Sequence, residues 1–369
     1  MHVAVIGRGM MGAAAARHLA KGGHQVTLIG PAEPVDKRSH KGVFASHYDE
    51  GRITRKNDAK PFWAEVAAAS IARYAEIEAE SGIRFFGNVG AMMAAELDSS
   101  WMKQVLATKD ALGTDCEVLD HRALASRFDY FKFPSTFGAV YEPTGGGHVS
   151  PRNLVAAQTE AARRQGATIV DAVVDNVDET ANGVTVRTAE GPIGADRALI
   201  AAGAMTDHVL ARAPRLTVMK RTVAFFEIAA DEAQRLADMP SLVFRSHRPG
   251  GPYLLPPIRY PDGRTYIKLG GDPTDEPIET EAEIGDWFRS GGDANVRDFL
   301  EDSYRELMPT VRIETVSMDA CVTSWTEDRY PEIGMLTDRI GVATGGNGAG
   351  AKCSDELGRR GALAVTSDI

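Results

Sequence analysis

Several groups of residues in this chain have the types and spacing to do chemistry. The first is Gly7-Arg8-Gly9-Met10-Met11-Gly12. In such a G-x-G-x-x-G run the glycines serve a tight turn, a close approach of backbone to phosphate, and close helix–strand packing. A helix opening there leaves free N–H groups and partial positive charge to hold a pyrophosphate. The second group is Arg52 and Arg55, three apart in a dense run that begins at Ser46. If that run ends as helix, both guanidiniums share a face. They are then either aimed at a carboxylate, which the planar fork suits, or part of a solvated basic turn. Lys268 stands among Tyr266, Ile267 and Leu269, where a lysine either points to solvent or is buried for a purpose. A further glycine turn, Gly345-Gly346-Asn347-Gly348-Ala349-Gly350, is followed by Lys352, where the N–H groups of a starting helix add to its pull on an anion.

These residues need elements to position them. Residues 3–6 read as a short apolar strand, 13–21 as an Ala-rich helix and 25–29 as a second strand, the setting in which the glycine motif carries weight. An acid for ribose hydroxyls is expected at the end of the second strand. Gly30 and Pro31 stand there instead, with Glu33 and Asp36 as the nearest substitutes. Residues 31–60 read as an ordered loop, 62–81 as one amphipathic helix, 83–95 as strand, 99–128 as helical segments with a short turn, and 137–141 as strand. Ser150 and Pro151 form the start of a helix over 153–165. Strands follow at 168–174, 183–188 and 196–202. The apolar runs 223–228, 242–244, 253–255 and 265–269 are parted by Pro, Gly and Asp, the signature of an antiparallel sheet. A helical stretch over 280–306, a strand at 340–344 and a last helix over 354–365 complete the chain.

Three strands therefore end in small-residue turns, at 7–12, 201–204 and 345–350. In a parallel sheet such turns lie on one edge, outside the carboxyl ends of the strands, where ligands bind. A cofactor site built from both chain ends suits a long molecule such as FAD better than NAD held by one contiguous half. The fold expected is α/β: a Rossmann-like FAD-binding domain with a second, antiparallel-sheet substrate domain.

Composition bounds the rest. A length of 369 residues accommodates two domains, and 43% hydrophobic with 25% charged residues is ordinary for a soluble globular chain. A formal charge of −10 argues against nucleic acid or an anionic membrane surface as partner. No apolar run approaches the ~20 residues that span a bilayer, and the N-terminus enters a strand without a leader pattern. Cys116, Cys321 and Cys353 are too few and too scattered for a disulfide framework or a zinc site. The expectation is a cytoplasmic protein without a metal, a monomer or small homo-oligomer.

In order and spacing, the glycine run 7–12, the Ser46–Arg55 loop, the strand 195–204, Lys268-Leu269-Gly270, the run 321–328 and the turn 345–350 with Lys352 resemble the D-amino-acid oxidase superfamily. Within it they are similar to the monomeric sarcosine oxidase and N-methyltryptophan oxidase group. The resemblance implies an FAD-binding domain from residues 1–80, 145–215 and 315–369 and a substrate domain from 81–144 and 216–314. It implies oxidation of the C–N bond of a secondary amine or N-methyl amino acid, with hydride passing to flavin, hydrolysis of the imine and reduction of O2 to H2O2. The flavin site it implies comprises Gly7, Gly9, Met10, Met11, Gly12, Ser46, Val174, Ala202, Gly203, Gly346, Asn347, Gly348, Gly350 and Lys352, with Cys321 as the thioether link to the flavin 8α-methyl.

By the same resemblance Lys268 activates oxygen, Arg52 lies near the flavin face, and Arg55 and Lys352 hold the substrate carboxylate. Tyr253 is an aromatic pocket residue. Two positions depart from the family pattern: Asp272 replaces a histidine four residues after the lysine, and Thr323 replaces an aromatic two residues after the cysteine. Both belong to the substrate side in the relatives, so the amine tolerated here differs. The alternatives are a flavin dehydrogenase with another electron acceptor, a flavin-binding subunit without turnover, and an NAD-dependent dehydrogenase.

Overall fold

The computed structural model describes residues 1–212 and 215–367. Its first layer is a six-stranded sheet in the order Glu332–Met335, Ile340–Thr344, Arg197–Ile200, His2–Ile6, Gln25–Ile29, Thr168–Val170. All neighbours are parallel except the edge strand Glu332–Met335. Val3, Ala4 and Val5 have no exposed surface, as expected of a parallel strand covered on both faces. Alternation decides which side chain goes where. Val3 and Val5 pack with Ala13, Ala16 and Leu19 of the helix Met10–Lys21 and with Val365 of the helix Gly350–Thr366. Ala4 and Ile6 face the other way, onto Val174, Val184 and Val186 of a three-stranded antiparallel meander (Val174–Thr180, Gly183–Thr188, Gly191–Ala195).

The second layer is a nine-stranded sheet. Its centre is Thr265–Gly270 beside Thr217–Glu227 on one side and Tyr253–Arg259 on the other. Ser241–Phe244 and Ala91–Glu96 extend it, and this one pair is parallel within an otherwise antiparallel sheet. Its core is closed by the helix Ala294–Leu307, whose Tyr304 stacks on Phe226 at 4.2 Å. The strand Thr315–Trp325 pairs residue for residue with Thr217–Glu227. It therefore belongs to this sheet rather than to the FAD-binding segments that begin at 315 in the sequence reading.

Several boundaries differ from expectation. The helix expected over 62–81 is two helices, Pro61–Ile71 and Tyr74–Ser81. At the break Arg73 turns to Asp355 and Glu356. The strand expected over 83–95 is divided at Gly90, whose φ of +83° suits glycine, into Phe86–Gly87 and Ala91–Glu96. A short strand, Glu117–Leu119, stands between the helices Ser100–Leu112 and His121–Arg127. The run 168–174 holds the whole strand Thr168–Val170 and the first residue of Val174–Thr180, which lie in two different sheets. The last helix starts inside its glycine turn, at Gly350. Ser150 accepts from Asn153 N and Pro151 opens the helix Pro151–Arg164, as expected. Among the described residues no helix is long and apolar enough to cross a membrane.

Candidate active site

The three expected turns converge. Strands His2–Ile6, Arg197–Ile200 and Ile340–Thr344 are adjacent and parallel, and the segments that follow them line one cleft of ≈ 320 Å³, within the ~300–1,000 Å³ typical of ligand and cofactor sites. Gly7 (φ +104°) turns so tightly that a Cβ would strike Ala201 O, and a Cβ on Gly12 would strike Gly7 O. Gly9 has nothing within 4 Å of a notional Cβ. The three glycines thus do separate jobs: turn, open approach, close packing. No side chain caps the N-terminus of the helix Met10–Lys21, so its first N–H groups stay free, with Met10 and Met11 on the cleft wall. Ala202 and Gly203, Gly346, Gly348 and Gly350, Ser46 and Val174 line the same cleft. Gly12 and Asn347 stand behind it: Asn347 takes Thr326 N on its side-chain oxygen (3.0 Å) and gives Nδ2 to Gly345 O (2.7 Å), which shapes the last turn.

Arg52, Cys321 and Thr323 line the same cleft. Arg52 and Ile53 begin a short strand, Arg52–Thr54, paired with Gly147–Val149. The condition for both arginines to share a helical face is not met: the segment is extended, and Arg55 lies just beyond the strand. Arg52 donates NH2 to Cys321 Sγ at 3.3 Å and pairs through NH1 with Asp49. Lys268 has no exposed surface. Its Nζ contacts the Asp49 carboxylate and donates to Gly51 O at 2.5 Å, while Tyr260 OH donates to the other Asp49 oxygen at 2.9 Å. Burial, and then the Arg52 guanidinium, push the Lys268 ammonium well below the ordinary lysine range, and the carboxylate in contact with it opposes that push.

Just beyond the strand, Arg55 NH2 lies 2.8 Å from Asp58 Oδ2, and Lys352 Nζ lies 2.6 Å from the same oxygen. Burial alone would raise Asp58, but Lys352 and then Arg55 hold it well below the usual carboxylate range. The ring of Tyr253 lies across Gly270, where a Cβ would meet it at 2.5 Å. Asp272 Oδ1 accepts from Thr222 N at 2.9 Å; Oδ2 is buried without a partner, and burial raises this carboxyl to about 6. Arg55, Tyr253, Lys268, Asp272 and Lys352 do not line the cleft itself.

A family model described as FAD dependent oxidoreductase matches residues 2–362. The chain belongs to that family. The monomeric sarcosine oxidase of Bacillus sp. (strain NS-129) is 25% identical over 371 residues, covering 96% of this chain and 90% of the relative. The N-methyl-L-tryptophan oxidase of Yersinia pestis (strain Pestoides F) is 24% identical over 371 residues, covering 97% and 93%. Among solved structures, NikD, an unusual amino acid oxidase essential for nikkomycin biosynthesis, superposes with a TM-score of 0.77 at 19% identity, covering 100% of this chain and 94% of that one. Glycine oxidase from Geobacillus kaustophilus gives 0.73 at 21% identity, covering 98% and 94%. The structural likenesses establish the fold.

The cleft of this FAD-dependent oxidoreductase fits its cofactor. An uncapped helix end beside Gly9 suits the pyrophosphate, and the space kept clear by Gly346, Gly348 and Gly350 continues the cradle. The missing ribose acid has a steric reason: a Cβ on Gly30 would meet Arg8 N at 2.6 Å. Neither substitute is free. Glu33 is paired twice with Arg152 (2.6 and 2.7 Å), and Asp36 accepts from Arg38 N and Ser39 Oγ. Sequence reasoning missed Asp49, Tyr260, Asp58 and two half-buried histidines. Burial first, then nearby arginines, lowers His47 to about 3, and burial with Lys268 lowers His148 to about 4. Both imidazoles are neutral at ordinary pH. His47, Tyr48, Asp49 and Glu50 lie in one run before Arg52, and that density of polar residues beside an arginine was the available signal.

Proposed function

We propose that the protein oxidises the C–N bond of a secondary amine or N-methyl amino acid, releasing an imine that hydrolyses, and that O2 is the final acceptor, giving H2O2. Bound FAD supplies the hydride acceptor and returns the electrons to O2. The observation that supports this most is Lys268, a lysine without exposed surface whose Nζ contacts the Asp49 carboxylate, which in turn pairs with Arg52 of the cleft wall. A fixed positive charge there stabilises negative charge developing on oxygen without reorganising. The relatives named for sarcosine and N-methyl-L-tryptophan support the substrate class.

In this reading Cys321, beside Arg52 in the cleft, holds the cofactor as a thioether. Cys116 and Cys353, pushed up to about 12 by burial, are inert thiols. Arg55 and Lys352 are the cations of the substrate side, with Tyr253, Asp272 and Thr323 shaping it. No strong base is needed, because hydride leaves from a neutral amine. Nearby cations and desolvation depress the amine's pKa from its usual value near ~10. The proposal includes a cytoplasmic location, which three free cysteines support, and a two-domain division with the strand 315–325 counted on the substrate side.

The test is an absorbance spectrum before and after acid precipitation, followed by an amine panel scored for peroxide. Yellow in the pellet, with peroxide formed from some secondary amine, is the expected result. Flavin that bleaches anaerobically but yields no peroxide in air points to a dehydrogenase. Flavin that no amine bleaches points to a subunit without turnover. A colourless protein that FAD does not reconstitute overturns the proposal.

A further inference from the structure

Resting on the oxidase reading, the Arg55–Asp58–Lys352 triad narrows the substrate class. Arg55 and Lys352 are the only two cations that this reading places on the substrate side, and a single carboxylate oxygen, Asp58 Oδ2, already takes both, at 2.8 and 2.6 Å. Among the described residues no other acid pairs with either one. The triad is enclosed: the side chains of Lys352, Arg55 and Asp58 are 3%, 14% and 15% exposed. We propose that Asp58 is a resident substitute for a substrate carboxylate, so that the preferred substrate is a secondary amine bearing no α-carboxylate.

Two further features separate this from a loop acid that swings aside. The backbone that leads into Asp58 is pinned. Lys56 N and Asn57 N donate to the two oxygens of Glu142 (2.8 and 2.7 Å), a carboxylate only 2% exposed. Asn57 itself has no exposed surface and donates Nδ2 to Val105 O. Asp58 also takes Lys60 N on Oδ1 at 3.2 Å, so both its oxygens are engaged. The charge count agrees: two cations and one carboxylate leave a single positive charge. A second carboxylate brought to the same cations would lie against the first, whereas an uncharged alkyl group meets no such repulsion. The lone positive charge still favours the neutral form of a bound amine, which is the hydride donor.

The test uses the flavin-loaded protein and matched pairs differing only in the carboxylate: sarcosine with dimethylamine, N-methylalanine with N-methylethylamine, N-methyltryptophan with N-methyltryptamine. Anaerobic flavin bleaching is followed by stopped flow. The expected result is a second-order reduction constant at least about tenfold higher for the decarboxylated member of the pair that reacts best. Asp58→Asn, nearly isosteric, then moves the ratio by about the same factor toward the carboxylated member, with Asp58→Ala as a second variant should the amide disturb folding. A wild-type preference for the carboxylated member overturns the inference. If no member bleaches the flavin, the oxidase reading itself fails, and binding decides the inference alone. Titration with acetate, read from the flavin spectrum, then supports it if Asp58→Asn binds at least about tenfold tighter than wild type, and overturns it if the two bind equally.

Discussion

A lysine without exposed surface persists only where its ammonium has partners, and Lys268 has Asp49 and Gly51 O. Asp49 in turn serves Arg52 and Tyr260, so the four groups form one unit that reaches the cleft through Arg52. Replacing Lys268 with Met keeps the length of the side chain and removes the charge. The expected outcome is reoxidation of reduced flavin by O2 slowed about 100-fold or more, with reduction by amine changed far less. Stopped-flow measurement of both half-reactions checks this; equal slowing of the two removes the assigned role. Asp272 gives a second prediction at this scale. Its folded value, raised to about 6 by burial, exceeds the ordinary aspartate value near ~4. The folded state therefore binds more protons between those limits, and stability falls as pH rises through them. Asp272→Asn should leave stability unchanged near pH ~4 and raise it by about 1–3 kcal/mol at pH ~8, because one pKa unit is about 1.4 kcal/mol. Denaturant unfolding at the two pH values measures it. Asp49 and Asp58 were not legible in the sequence. Their lysines lie 219 and 294 residues away, and nothing local marks either acid among other loop acids.

At the scale of elements, what could be read were the strands that lie between helices and end in glycine turns, because burial on both faces writes a continuous apolar run. What could not be read were two- and three-residue strands such as Phe86–Gly87 and Arg52–Thr54, too short to show a period. The glycines of the last helix are a middle case, visible in sequence but unexplained until helices cross. Gly358 packs where a Cβ would lie 2.5 Å from Met11 O, and Gly361 where it would lie 2.9 Å from Ala343. These contacts seat the helix Gly350–Thr366 against the first helix and against the strand Ile340–Thr344. Gly358→Ala should therefore cost about 1–3 kcal/mol as an overpacking change, despite alanine's better helix propensity. The sign of the change in denaturation midpoint checks this, since propensity alone predicts stabilisation.

For the whole molecule, the cofactor cleft joins the turn after residue 6, the turn after residue 200 and the turn after residue 344. A ligand that binds only the assembled form stabilises it, by about 2.7 kcal/mol at 100 times its dissociation constant. If Cys321 is the covalent link, wild type shows no dependence of its melting temperature on added FAD. Cys321→Ala then acquires one, rising with FAD concentration over several degrees. A melting temperature independent of FAD in both proteins argues against the link and against cofactor-coupled stability together. That the cleft needed all three turns was legible, because each turn carries its own small-residue signature.

The same arrangement has a consequence for biosynthesis. The first strand pairs on one side with Gln25–Ile29 and on the other with Arg197–Ile200, and Ile340–Thr344 lies beyond that. While the ribosome is still at mid-chain, the strand His2–Ile6 is an apolar edge with no neighbour on one side, open to wrong pairing. The last wall of the cleft, Gly345 to Ala351, emerges long after the first two turns. Synthesis therefore has to pass the third turn before the cofactor can be captured, and the long interval between first strand and last turn is when the nascent chain most needs a chaperone.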